Sequence, residues 1–254
     1  MSKHHIKPSL SPTPGEIAKM IDHSVLHPTA TDSDLTEACR VAMRWNVASL
    51  CVKPCDVPLA VNYLVGTTVK VCTVIGFPHG TSALAIKHEE AALALNQGAK
   101  EIDMVVNLGK ILSGSWDYAI AEVDIINALC KQNKALLKVI FENDFIPNDH
   151  IKIQLTKTCR DLGVDFVKTS TGFGFTRQDD GSFAARGATM HDCSLMVKHA
   201  GDTMKVKASG GIKTLEDVLA FRNIGVTRIG TSSTQSIMNS YIGSNNDDSC
   251  SSHY

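Results

Sequence analysis

The sequence predicts an α/β chain folded as a single-domain (β/α)8 TIM barrel, on three observations. Eight short apolar runs, 21–26, 47–52, 69–77, 102–107, 136–141, 166–171, 204–209 and 228–231, alternate with longer helix-like stretches. Several runs are rich in Val, Ile and Cys with little regular polar alternation, as suits parallel strands covered by helices. The run 21–26 leads into His27-Pro28-Thr29 with no glycine, so the GxGxxG fingerprint of an open dinucleotide-binding sheet is missing. A chain of 254 residues also matches the usual size of one such barrel.

The helices are expected at 34–45, 82–97, 116–131, 148–162, 189–199 and 215–223. Asp34 reads as an N-cap, and Thr214 followed by Glu216 and Asp217 as another. Gly98 and Gly163 fall where helix C-caps belong. No linker interrupts residues 15–242, which form the barrel domain. Residues 1–14, rich in His, Pro, Ser and Lys, read as a flexible arm. Residues 243–254, GSNNDDSCSSHY, read as a mobile tail ending in Tyr254.

Composition narrows the function classes. The net charge is −1 and the hydrophobic fraction 43%, so no broad basic field exists to hold a nucleic acid or a membrane surface. No apolar run approaches 18 residues, the length of a membrane span. The eight cysteines include no CxxC, and the start lacks a signal peptide's apolar stretch. Free thiols and a cytoplasmic location follow. Apolar helix faces would accommodate a homodimer.

The chemistry-bearing feature is a near-repeat. Val167-Lys168-Thr169-Ser170-Thr171-Gly172 closes one strand, and Val206-Lys207-Ala208-Ser209-Gly210-Gly211 closes the next. An ammonium inside a strand is costly without a partner, unless it reaches the barrel mouth, where active sites lie. A lysine attacks a carbonyl only as the neutral amine, against an ordinary pKa of about 10.4. A second ammonium and desolvation both favour that form. Two lysines at one mouth therefore make one nucleophilic, although spacing alone does not say which. Asp103 lies inside the strand Glu101–Asn107 stretch and would pair with a lysine as a proton shuttle. Lys138 is a third strand lysine able to line the same mouth. The glycine-rich ends Ser209-Gly210-Gly211 and Gly230-Thr231-Ser232-Ser233 occupy the usual phosphate-binding place in barrels.

These motifs together resemble the deoxyribose-phosphate aldolase family. The carrying stretches are Ile21-Asp22-His23, Val74-Ile75-Gly76-Phe77-Pro78-His79-Gly80, Glu101-Ile102-Asp103-Met104-Val105-Val106-Asn107, Leu137-Lys138-Val139-Ile140, VKTSTGF and KASGGI. The resemblance implies a metal-free, cofactor-free class I aldolase of deoxyribonucleotide catabolism. Its substrate would be 2-deoxy-D-ribose 5-phosphate, cleaved to acetaldehyde and D-glyceraldehyde 3-phosphate. By the same resemblance Lys168 forms the Schiff base, while Lys207 and Asp103 tune it and relay protons. Tyr254 would assist protonation at the enamine carbon. Lys138, Thr171, Gly172, Gly210, Gly211, Gly230, Ser232 and Ser233 would contact substrate. Phe173 stands where some members carry a lysine, and Lys213 where an arginine is usual, which keeps the charge but gives up a bidentate grip.

Other readings have their own signatures. A zinc aldolase needs clustered His or Cys ligands, and the spacing of His23 and His27 provides no shared face. Cys51 reads as a small packing residue. A transaldolase-like enzyme would accept a ketose donor, and a non-catalytic sugar-phosphate-binding barrel would bind without turnover.

Overall fold

The computed structural model describes residues 12–247. Eight parallel strands close into a barrel: β1 (Ile21–Val25), β2 (Ser49–Val52), β3 (Lys70–Ile75), β4 (Glu101–Val105), β5 (Leu136–Ile140), β6 (Phe166–Lys168), β7 (Lys205–Ser209) and β8 (Arg228–Thr231). Neighbours in the chain are neighbours in the barrel, and β8 closes on β1 with Asp22 opposite Gly230. All eight predicted strands are present. Around them lie α1 (Pro14–Ala18), α2 (Asp32–Trp45), α3 (Val57–Leu64), α4 (Leu84–Asn96), α5 (Leu108–Leu112), α6 (Trp116–Gln132), α7 (Asp149–Asp161), α8 (Met190–Ala200), α9 (Leu215–Asn223) and α10 (Thr234–Asp247). Among the described residues no helix is long and apolar enough to cross a membrane.

Local chemistry explains the ends. Thr214 caps α9 and exchanges hydrogen bonds with Asp217 in a capping box. Asp34 does not cap α2: Thr31 does, and Asp34 is the third helical residue, whose carboxylate accepts from the Thr31 N–H at 2.8 Å. Gly98 and Gly163 follow α4 and α7 with φ of 109° and 66°, as left-handed C-terminal turns require. Helix α3 escapes the periodicity reading because Val57, Pro58 and Val61 are poor helix formers. Two boundary expectations are corrected. Thr13 and Pro14, assigned to the arm, begin α1 with a complete capping box. Residues 243–247, assigned to the tail, extend α10, because elongating a helix nucleated by buried Ile237, Met238 and Tyr241 avoids a second nucleation cost. The Tyr241 hydroxyl also donates to the Pro12 carbonyl, tying the segment before α1 to α10. A short exposed hairpin, Thr176–Arg177 against Phe183–Ala184, decorates the loop between β6 and α8.

The main apolar core lies between strands and helices; the inside of the barrel holds a small cluster of Cys51, Cys72 and Val74, together with Val105, Ile140 and Phe166, which alternate onto the same face as Asp103, Lys138 and Lys168. The interior also carries a network of charged side chains. A buried pair braces the rim: Lys87 of α4 meets Glu122 of α6 at 2.5 Å and donates to the Val105 carbonyl at 2.7 Å. The Asn107 N–H donates to the same Glu122 carboxylate at 2.9 Å, which fixes the end of β4.

His23, buried on β1, shares a 2.9 Å hydrogen bond between Nδ1 and the Thr234 hydroxyl at the start of α10. Burial pushes its pKa down to about 4 from an ordinary 6.5. The folded state thus favours neutral His23. Its contribution is complete above about pH 6.5 and is lost as pH falls through about 4. Over that window the protein is expected to lose about 3 kcal/mol of stability that a His23→Asn variant does not lose. Urea unfolding of both proteins at pH 7 and pH 4.5 measures the difference; parallel curves would contradict it.

Candidate active site

The strand period of two puts alternate side chains inside the barrel, and here the inward positions carry charge. Registration stacks them: Asp103 stands opposite Lys138, Lys168 opposite Lys207, and Lys207 opposite Arg228. At the N-terminal end Arg228 bridges Asp22 at 2.5 Å and Glu101 at 3.0 Å. Lys138 in the middle contacts Glu101 at 2.6 Å and Asp103 at 2.8 Å. Nearer the mouth Lys207 contacts Asp22 at 2.6 Å and Asp103 at 2.8 Å. Lys168 meets one carboxylate, Asp103, also at 2.8 Å. The same oxygen, Asp103 Oδ2, accepts from both Lys168 and Lys207.

Burial alone would raise the Asp103 pKa, but Lys138, Lys168 and Lys207 outweigh it and hold the carboxyl well below its usual range. Burial opposes the Lys207 ammonium, yet Asp103 and Asp22 prevail and raise its pKa above that of an ordinary lysine. Lys138 follows the same balance. Four basic side chains, Lys138, Lys168, Lys207 and Arg228, therefore face three carboxylates, Asp22, Glu101 and Asp103. The interior is electrically neutral only when one amine is neutral. Lys168 has the fewest carboxylate partners of the four.

Above this ladder opens a cavity of about 160 Å³ lined by Lys168, Lys207 and the loops after β6, β7 and β8. It brings together Thr171, Gly172, Gly210, Gly211, Gly230, Ser232 and Ser233, all singled out in the sequence, and adds Lys213 and Cys51. Asp103 lies directly beneath. Lys138, expected to line the cavity, does not: it is fully buried below Asp103, with all its polar contacts to carboxylates and Cys72. Three carboxylates, Glu101, Asp103 and Asp22, hold its amine away from the mouth. Tyr254 lies outside the described residues.

The glycines permit the walls to close. At Gly210 (φ 94°) a Cβ would stand 2.8 Å from the Gly187 Cα, and at Gly187 2.5 Å from the Gly210 carbonyl oxygen. The loops after β6 and β7 thus touch backbone to backbone, which side chains would prevent. Helix α10 begins immediately after Ser232 and Ser233, so its N-terminal N–H groups and partial positive charge face this end of the cavity. Phe173 packs edge-on against Phe77, with ring centres 5.5 Å apart, and ties the loop after β6 to the loop after β3.

Sequence reasoning missed Asp22, Glu101 and Arg228 as interior charges. The rule that found the lysines, a charge within or bordering an apolar strand, applies equally to them. Among the described residues two groups resemble metal donors, Cys51 with Cys72 and Asp103, and Asp149 with His191 and Asp192. Neither donor set suits a cation. Asp103 is saturated by three lysines, and Lys152 already sits 2.6 Å from Asp192. His23 and His27 bond separately to Thr234 and Thr29. The seven cysteines among the described residues are unpaired.

A family model described as DeoC/LacD family aldolase matches residues 16–234. A deoxyribose-phosphate aldolase of Clostridium kluyveri is 44% identical over 225 residues, covering 88% of this chain and 97% of the relative. One from Rhodopirellula baltica is 42% identical over 223 residues, 88% of each chain. The solved deoxyribose phosphate aldolase of Aeropyrum pernix, described as tetrameric, superposes with a TM-score of 0.80 at 31% identity, covering 91% of this chain and 92% of that one. With the match spanning the barrel from α1 to the start of α10, this chain belongs to the DeoC/LacD family of aldolases.

Proposed function

We propose that this aldolase reversibly cleaves 2-deoxy-D-ribose 5-phosphate to acetaldehyde and D-glyceraldehyde 3-phosphate through a Schiff base on Lys168. The supporting observation is the pair of cavity-facing amines on one carboxylate oxygen, Asp103 Oδ2. Lys207 is anchored as an ammonium by two carboxylates. Lys168, held by one, is the amine free to attack.

The steps balance without an added metal or redox group. The Lys168 amine adds to the C1 carbonyl, and loss of water leaves a protonated imine. The C3 hydroxyl gives up its proton, the C2–C3 bond breaks, and its electron pair moves into the imine to form an enamine. Glyceraldehyde 3-phosphate leaves; protonation at C2 and hydrolysis then release acetaldehyde and the free amine. Asp103 and Lys207 form the proton path beside the imine nitrogen. Tyr254 is proposed to assist protonation at C2. The backbone N–H groups around Gly172, Gly210, Gly211 and Gly230, the Ser232 and Ser233 hydroxyls and the Lys213 charge would hold the phosphate. Unpaired thiols suit a reducing compartment such as the cytoplasm.

Cleavage is measured by coupling acetaldehyde and glyceraldehyde 3-phosphate to dehydrogenases, in excess chelator. Sustained turnover is expected. Loss of turnover restored by zinc would overturn the metal-free reading, and binding of the sugar phosphate without any cleavage would overturn the enzymatic one.

A further inference from the structure

The loop after β5 holds a buried carboxylate that the reaction above leaves unused. Glu142 sits behind the cavity wall, not in it, in a left-handed backbone conformation (φ 55°). Its two oxygens accept from the Thr171 N–H at 3.3 and 3.2 Å, and the Thr171 hydroxyl donates to Oε2. Gly174 makes room for this approach: a Cβ there would lie 2.8 Å from the Glu142 Cδ. The Thr171 hydroxyl in turn accepts from the Phe173 N–H at 2.9 Å.

A hydroxyl has one proton and two lone pairs. Glu142 takes the proton and Phe173 one lone pair. One acceptor position remains, on a residue that lines the cavity together with Lys168. We infer that Glu142 is a positioning residue that locks Thr171 as a hydrogen-bond acceptor toward the cavity, so that the site selects a sugar hydroxyl donor. The inference rests on the aldolase reading above. The donor would be the C3 or C4 hydroxyl of the five-carbon substrate. Acetaldehyde has no hydroxyl, so the half-reaction that forms its enamine does not use this contact. Without the carboxylate, Thr171 turns its proton freely and the acceptor is no longer fixed.

The test compares two reactions in each protein: cleavage of 2-deoxyribose 5-phosphate, and exchange of acetaldehyde α-protons with heavy water. Glu142→Leu and Thr171→Val are each expected to lower kcat/KM for cleavage about five- to tenfold, the worth of one hydrogen bond, and to change exchange by less than about twofold. Glu142→Gln keeps one acceptor oxygen and should lose less. The double variant should be no worse than Thr171→Val alone, because both changes remove one interaction. Equal losses in both reactions, or losses that add in the double variant, would overturn the inference in favour of a purely structural Glu142. Should Glu142→Leu not fold, Glu142→Gln in the wild-type and Thr171→Val backgrounds decides by the same criterion of additivity. A wild-type protein inactive in both reactions would overturn the aldolase reading itself, and the inference with it.

Discussion

Replacing Lys168 with Ala is expected to lower the rate of 2-deoxyribose 5-phosphate cleavage by about 10⁴-fold or more, since loss of the proposed covalent nucleophile would remove the whole reaction path. The fold should survive. Lys168 is the fourth basic side chain among three carboxylates, and its removal leaves Lys138, Lys207 and Arg228 facing Asp22, Glu101 and Asp103 in equal number. Its side chain borders an open cavity, so truncation leaves space that water can fill. Thermal unfolding of the variant should therefore begin no earlier than that of the wild type, while activity collapses. A variant that unfolds early and loses activity in proportion would show that Lys168 serves the fold instead.

Asp103→Asn should do the opposite to stability. Asp103 contacts Lys138, Lys168 and Lys207, and without its charge four basic groups face two carboxylates. Removing one partner from a buried ion network costs about 3–5 kcal/mol. Cleavage should fall by at least about 10²-fold, a typical contribution for a positioned proton-transfer group. The deficit in stability carries its own signature. An uncompensated buried ammonium has a folded-state pKa below its unfolded value of about 10.4. Its penalty is complete at low pH and is relieved as rising pH removes the proton. Urea unfolding at pH 7 and pH 9.5 should therefore show the variant closing part of its gap with the wild type. A gap that is constant across this range would contradict the charge-balance account.

Much of the barrel was legible because parallel strands wrapped by helices read as apolar runs, and every one of the eight runs became a strand. The boundaries shifted where tertiary packing outvoted local propensity. The polar stretch 243–247 joins α10 because that helix is already anchored by Ile237, Met238 and Tyr241. Val57–Leu64 is helical despite its β-branched residues because Val57, Ala60 and Leu64 bury against the barrel. In the site, Lys168 and Lys207 stood out because charge inside an apolar strand demands an explanation. Lys138 raised the same question but had a different answer: Glu101, Asp103 and Asp22, brought to it only by strand pairing and barrel closure, hold its amine beneath the cavity. Glu142 gave no signal, because its partner Thr171 is 29 residues away and meets it only once β5 and β6 pair.

Borohydride reduction in the presence of 2-deoxyribose 5-phosphate, without added metal and followed by peptide mass mapping, tests the Schiff-base claim most directly. The geometry predicts a single reduced adduct on Lys168, because Lys207 is held as an ammonium by Asp22 and Asp103. An adduct on Lys207, or none on a folded and substrate-saturated protein, would contradict it.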